Sequence, residues 1–144
     1  MRRRLGSQGP ELTSVGLGTW AMSGPYEFGW GPADDQESIA AIRHAVESGV
    51  SWIDTAAAYG FGHAEEVVGK ALEPFRAGED VLVFTKCGRR WARPGGEFRY
   101  DLRPESMREE CEQSLREHGD GPQHRGGLRR LESAHRWRQS AGNG

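Results

Sequence analysis

Three side chains of this sequence could together move a proton. Asp54 ends the short apolar run VSWI, Tyr59 follows it by five residues, and Lys86 ends a second apolar run, VLVFT. None of the three helps a hydrophobic core. A phenol titrates at about 10 and gives up its proton readily only when a cation stands beside the phenolate, and a carboxylate can hold that cation in place. Such a trio suits delivery of a proton to a carbonyl oxygen that becomes an alkoxide as hydride reaches its carbon. Singly, each has an ordinary use: an Asp after a strand caps a turn, and a strand-end Lys is solvated. The combination points to carbonyl reduction, with Tyr59 as general acid supported by Lys86 and Asp54.

For the trio to meet, the elements carrying it must end on one rim. SVGLGTW (14–20) reads as a strand entering a Gly-rich turn, VSWID (50–54) as a second strand, and VLVFTK (81–86) as a third, apolar throughout as strands covered on both faces are. The spacing of Ile39, Ile42 and Val46 predicts a helix over 34–49, with Asp34 and Glu37 at capping-box spacing and Gly49 as its stop. HAEEVVGKALEPF (63–75) predicts a second helix, with Glu65 and Glu66 in the first turn where the helix dipole favours negative charge. RPESMREECEQSLR (103–116) predicts a third, with Pro104 first and Met107, Cys111 and Leu115 on one face. Residues 87–100, rich in Arg, Trp and Gly, read as a loop.

Alternating strands and helices are the pattern of parallel α/β architecture, either a doubly wound sheet or a (β/α)8 barrel. In both, strand ends gather on one rim and neighbouring strands lie about 4.8 Å apart. That brings Gly18-Thr19-Trp20, Asp54 and Lys86 together, with Tyr59 folding back from the following loop.

Composition excludes several classes. The 144 residues carry a net charge of −2, which makes no electrostatic case for nucleic acid. Cys87 and Cys111 are too few for a disulfide framework and lack metal-ligand spacing; they read as a loop thiol and a core-facing thiol. Arg2-Arg3-Arg4 is followed by Gly, Ser and Gln rather than an apolar segment, and no run approaches membrane-spanning length. A soluble cytoplasmic protein is expected, with no membrane and no nucleic-acid partner.

GLGTW, DTAAAYGFGHAEEVVGKAL and VFTK, in that order, resemble the aldo-keto reductases, and RRRLGSQGPELTSVGLGTW is similar to the hairpin that closes their barrel floor. The resemblance covers about residues 3–116. It implies a (β/α)8 TIM barrel and NADPH-dependent reduction of an aldehyde or ketone by an Asp, Tyr, Lys and His tetrad. Asp54, Tyr59 and Lys86 match the first three positions. Gly18, Thr19 and Trp20 match the turn that contacts the nicotinamide end of the cofactor, with Asp54 near it. Trp20, Trp30 and Trp91 are expected to wall the pocket for a small carbonyl substrate. His63 reads as part of a helix entry, and Ala64 stands where the family often has Ser as a helix N-cap.

The pattern stops after Arg116. Residues 117–144 hold six Gly and five Arg and no Val, Ile, Phe or Tyr, so no buried strand ending in the tetrad histidine can be drawn. The segment is expected to be a disordered tail, from a truncated or frameshifted reading frame, with His118, His124 and His135 solvated. A barrel takes about 250 residues and commonly builds its phosphate site after strands 7 and 8. The expectation is therefore an incomplete barrel of about three βα units (1–116), inactive as it stands and lacking the cofactor's phosphate site. A partner chain would cover its open edge. The alternative is a non-catalytic regulatory or interaction module of the same fold.

Overall fold

The computed structural model describes residues 1–26, 29–75 and 79–118. Asp34 turns its Oδ1 onto the N–H groups of Gln36 and Glu37 and starts α1, Asp35–Glu47. Gly49, at φ +91°, takes the left-handed conformation that ends it. Around α1 the chain runs β1 (Arg2–Arg4), β2 (Glu11–Thr13), β3 (Leu17–Gly18), a 3₁₀ turn (Trp20–Met22), α1, β4 (Trp52–Asp54), α2 (His63–Leu72), β5 (Leu82–Phe84), β6 (Arg89–Arg90), β7 (Arg99–Tyr100) and α3 (Pro104–Glu117).

β3, β4 and β5 form one parallel sheet in that order, with α1 and α2 as the crossovers, and Gly18, Asp54 and Phe84 share one row across it. The antiparallel β1–β2 hairpin is tied to the far end of β4: Trp52 Nε1 donates to the Thr13 carbonyl at 3.0 Å, and the Thr13 N–H donates to Ser51 Oγ at 2.9 Å. Gly16 is required there, because a Cβ would stand 2.2 Å from the Trp52 ring.

The core lies between helices and sheet and is made of Ile39, Ile42 and Val46 of α1, Ile53 of β4, Val67, Val68, Ala71 and Leu72 of α2, and Val81. Arg43 of α1 donates from Nε and Nη2 to the carbonyls of Ala71 and Lys70, satisfying the open end of α2. In the central strand Ile53 is fully buried, whereas Leu82–Phe84 are half-buried. The expectation that the third strand is covered on both faces is thus not met, because β5 is the outermost strand of the sheet among the described residues.

The structure departs from the sequence reading in four further places. Residues 87–100 are not all loop: Arg89–Arg90 pair with Arg99–Tyr100 as a second hairpin. The N-cap of α2 is Gly62, at φ +100°, and Ala64 lies inside the helix, fully buried with its N–H on the Tyr59 carbonyl; no capping side chain has been lost there. α3 buries Ser106, Glu110 and Ser114 rather than the apolar face, leaving Met107 exposed and Cys111 and Leu115 half-buried.

The reason is polar. Glu65, expected to serve the helix dipole, is fully buried and accepts from Thr85 Oγ1 and from Ser114 Oγ, while Glu110 accepts from the Gly88 N–H. Finally, Glu117 closes α3 and His118 is buried, its Nε2 3.4 Å from Glu65 Oε1, so neither is a solvated tail residue. Residues 119–144, with His124 and His135, lie outside the described residues.

Candidate active site

β4 ends on Asp54, and hydrogen bonds continue the sheet one step past the strand ends. Thr19 N–H donates to the Asp54 carbonyl at 3.0 Å, and Thr55 N–H donates to the Phe84 carbonyl at 2.8 Å. The buried Thr19 and Thr55 hydroxyls meet at 2.9 Å and lock the rim. Beyond Thr55 the chain must reverse to enter α2. It does so through Gly60, Phe61 and Gly62, all in left-handed conformation at φ +67°, +58° and +100°. A Cβ on Gly60 would stand 2.3 Å from the Ser23 carbonyl oxygen, so only glycine fits. This reversal carries Tyr59 back over the strand ends.

The trio expected from the sequence meets there. Lys86 Nζ donates to Asp54 Oδ2 at 2.7 Å, to the Thr55 carbonyl at 2.8 Å and to Tyr59 OH at 3.3 Å. An ammonium has three donors, and these three acceptors take them all. The Lys86 and Asp54 side chains are 49% and 39% exposed, so the ion pair adds little to stability and serves chiefly to position Lys86. Burial lowers the proton affinity of the Lys86 amine, but the hydrogen bonds to Asp54 and Tyr59 and the charge of Asp54 outweigh it and hold the group above the ordinary lysine value. The phenol oxygen accepts from Lys86, so its own O–H is not spent on that bond.

Trp20 lies nearly parallel to the Tyr59 ring, 13° off with centroids 6.2 Å apart. Beside it, a Cβ on Gly18 would meet nothing within 4 Å, so the rim is open at that point. A cleft of about 450 Å³ opens here, lined by Trp20, Tyr59 and Lys86 of the rim and by Arg89, Tyr100 and Leu102 of the segment that follows.

Of the three tryptophans expected in a pocket, Trp20 alone lines this cleft. Trp91 packs edge-on against Phe61 and Phe98 in a neighbouring aromatic cluster. Trp30 is 79% exposed and stands off the cleft, just before the left-handed Gly31. His63 stands at the entry of α2, as expected, and bonds Asp35 Oδ1 at 2.9 Å.

The sequence reading missed Thr55, whose carbonyl is the third acceptor for Lys86, and the cleft residues Arg89 and Tyr100. Thr55 carried a signal, its place directly after Asp54; Arg89 and Tyr100 carried none, since their hairpin was unseen. Among the described residues no group of His, Cys, Asp or Glu could hold a metal ion, and no helix is long and apolar enough to cross a membrane.

Comparison with known proteins identifies the family of the chain. A model of the aldo/keto reductase family matches residues 14–120. The chain is 42% identical over 108 residues to aldo-keto reductase YhdN of Bacillus subtilis, covering 75% of this chain and 31% of that protein. It is 41% identical over 123 residues to an NADH-specific methylglyoxal reductase of Escherichia coli, covering 80% and 37%. The holo form of aldo-keto reductase AKR11C1 from Bacillus halodurans superposes with a TM-score of 0.69 at 26% identity, over 81% of this chain and 36% of that one. The chain thus spans about a third of the length of the curated relatives it matches. With its strands and crossover helices forming part of a (β/α)8 barrel, the chain belongs to the aldo/keto reductase family of oxidoreductases.

Proposed function

We propose that the rim formed by Asp54, Tyr59 and Lys86 delivers a proton during reduction of an aldehyde or ketone to an alcohol. The observation that carries this reading is the Lys86 ammonium, fully engaged by Asp54, Thr55 and Tyr59 and pressed against the phenol oxygen. As the carbonyl oxygen gains charge, the Tyr59 O–H bond breaks toward it. The phenolate left behind keeps the hydrogen bond from Lys86, and Asp54 keeps Lys86 from following the proton.

The rim suits the nicotinamide end of a dinucleotide cofactor, because Gly18 leaves open space beside Thr19 and Trp20. When bound, that cofactor supplies the hydride. The family resemblance favours NADPH, while the E. coli relative is named for NADH; both belong in the assay. A cytoplasmic setting fits the two free cysteines.

The 144-residue chain is expected to show little or no turnover by itself. Neither His44, on α1, nor His63, on Asp35, nor His118, beside Glu65, lies at the rim as a fourth tetrad residue. β3 and β5 each keep an unpaired side among the described residues, which a partner chain or a further segment would cover.

The test is oxidation of NADPH and of NADH by this chain with methylglyoxal, beside Tyr59→Phe, with cofactor affinity measured by calorimetry. Turnover that Tyr59→Phe lowers by about 10²- to 10⁴-fold supports the reading. Turnover indifferent to Tyr59 ends it, and binding without turnover leaves the chain with the cofactor-binding part of the function.

A further inference from the structure

Lys86 stands past the end of the sheet. The hydrogen bond that continues the ladder from β4, Thr55 N–H to the Phe84 carbonyl at 2.8 Å, ends two residues short of it. Its Nζ nevertheless meets Asp54 Oδ2, the Thr55 carbonyl and Tyr59 OH at 2.7, 2.8 and 3.3 Å. A lysine carries its charge on a flexible four-carbon stem, and it keeps three such bonds at once only if the backbone beneath it stays in place.

Two buried carboxylates grip the chain on either side of Lys86. Before it, Thr85 Oγ1 donates to Glu65 Oε1 of α2. After it, the Gly88 N–H donates to Glu110 Oε2 of α3 at 2.9 Å. Glu65 is fully buried, Glu110 is 5% exposed, and neither lines the cleft. Each is in turn held from α3: Ser114 Oγ donates to Glu65 Oε2 at 3.1 Å, with His118 Nε2 3.4 Å from Glu65 Oε1, and Ser106 Oγ donates to Glu110 Oε1 at 3.4 Å.

Burying a carboxylate is unfavourable unless donors surround it, and apolar side chains of like volume would pack α3 on the sheet as well. What a carboxylate adds is a strong, directional acceptor, and here two of them fall on a stretch of chain that has left the ladder. We propose that Glu65 and Glu110 are positioning residues for Lys86, clamping residues 85–88 so that the ammonium meets Asp54, Thr55 and Tyr59 together. The proposal rests on reading the rim as the site of proton delivery. Neither carboxylate touches a reacting atom; both act through the residues beside Lys86.

The experiment follows Lys86 itself. The chain holds two lysines, Lys86 and the exposed Lys70 of α2, so nuclear magnetic resonance of the side chains reads each titration separately in the 144-residue chain. Burial pulls the Lys86 amine down, and its bonds to Asp54 and Tyr59 hold it above the ordinary value; an ammonium released from both titrates lower. Thr85→Val removes the hydroxyl that Glu65 holds, and Glu110→Ala removes the acceptor of the Gly88 N–H. Each is expected to lower the Lys86 titration by about half a pH unit or more, with Lys70 unmoved. Thr85→Ser and Glu110→Gln, which keep the bonds, are expected to restore it.

Arg43→Met is the comparison, because it cuts the ties of α1 to the Lys70 and Ala71 carbonyls, at the end of α2 away from the Tyr59 turn. It is expected to lower the urea midpoint and leave Lys86 where it is. The same pattern in Thr85→Val and Glu110→Ala, a lower midpoint with an unmoved Lys86, overturns the proposal. Should Thr85→Val fail to fold by circular dichroism, Glu110→Ala beside Glu110→Gln decides. NADPH oxidation by Tyr59→Phe separates the two readings. A Lys86 that moves in a chain whose chemistry ignores Tyr59 keeps the clamp and removes the reductase mechanism; an unmoved Lys86 beside turnover that needs Tyr59 does the reverse.

Discussion

The Lys86 ammonium donates to the Tyr59 phenol oxygen at 3.3 Å while lying 4.9 Å from the centre of the same ring. It thus stands over the ring and within hydrogen-bond distance of the hydroxyl oxygen, a position from which a cation stabilises a phenolate. What holds it there is the shorter bond to Asp54, at 2.7 Å.

That dependence gives the first prediction. Lys86 is held above the ordinary lysine value, so the stability it contributes is fully present below that value and lost as pH rises through the raised one. Asp54→Asn removes the charge and weakens the bond while burial remains, and the Lys86 titration is expected to move down. Nuclear magnetic resonance of the lysine side chains would follow it; an unmoved Lys86 would show that Asp54 does not hold the ammonium.

The buried polar seam between α2 and α3 predicts a pH-dependent stability. Burial, with the hydrogen bond and charge of Glu65, pushes the Glu117 carboxyl up to about 7. For Glu65 burial acts upward too, but donors from His118, Glu117 and Thr85 outweigh it and hold that carboxyl low. A raised carboxyl binds its proton more tightly in the folded chain than in the unfolded one. Stability therefore falls as pH rises from the ordinary glutamate range to about 7. Discounted for the water that reaches a half-buried group, the loss is about 1–2 kcal/mol. Glu117→Gln is expected to flatten that decline, and urea midpoints from pH 5 to 8 would show it. Parallel profiles for the two proteins would count against a shared proton.

Phe61 is the one non-glycine residue with positive φ among those described, and its ring is a hub. It stacks on Phe98 at 5.0 Å and meets Tyr26 and Trp91 edge-on at 5.4 and 5.6 Å. It thereby joins the loop after Trp20, the turn that carries Tyr59 and the β6–β7 hairpin. Phe61→Ala is expected to cost about 1–3 kcal/mol and to weaken the near-ultraviolet circular dichroism of the cluster. Phe61→Gly is expected to cost somewhat less, since glycine takes the left-handed conformation freely. A Phe61→Ala variant as stable as the parent would deny the ring its bracing role.

Much of the fold could be read from periodicity and punctuation. Ile39, Ile42 and Val46 at helical spacing, Asp34 before them and Gly49 after them gave α1 nearly to the residue, because cap and core face are local properties. Asp54, Tyr59 and Lys86 were legible for a related reason: strands of one parallel sheet must end together, so spacing along the chain becomes proximity at the rim.

Long-range packing decided the rest. The inward face of α3 carries Ser106, Glu110 and Ser114 because the buried Glu65 and the Gly88 N–H require partners there, and no helical period in 103–116 announces that demand. Arg89 and Tyr100 face the cleft because two residue pairs close a hairpin across a Gly-rich loop, a pairing too short to leave an alternating pattern. The sequence by itself determined that Asp54, Tyr59 and Lys86 meet at the rim; only the tertiary structure decided which further residues line the cleft beside them, because that lining is assembled from residues whose neighbours are distant in the chain.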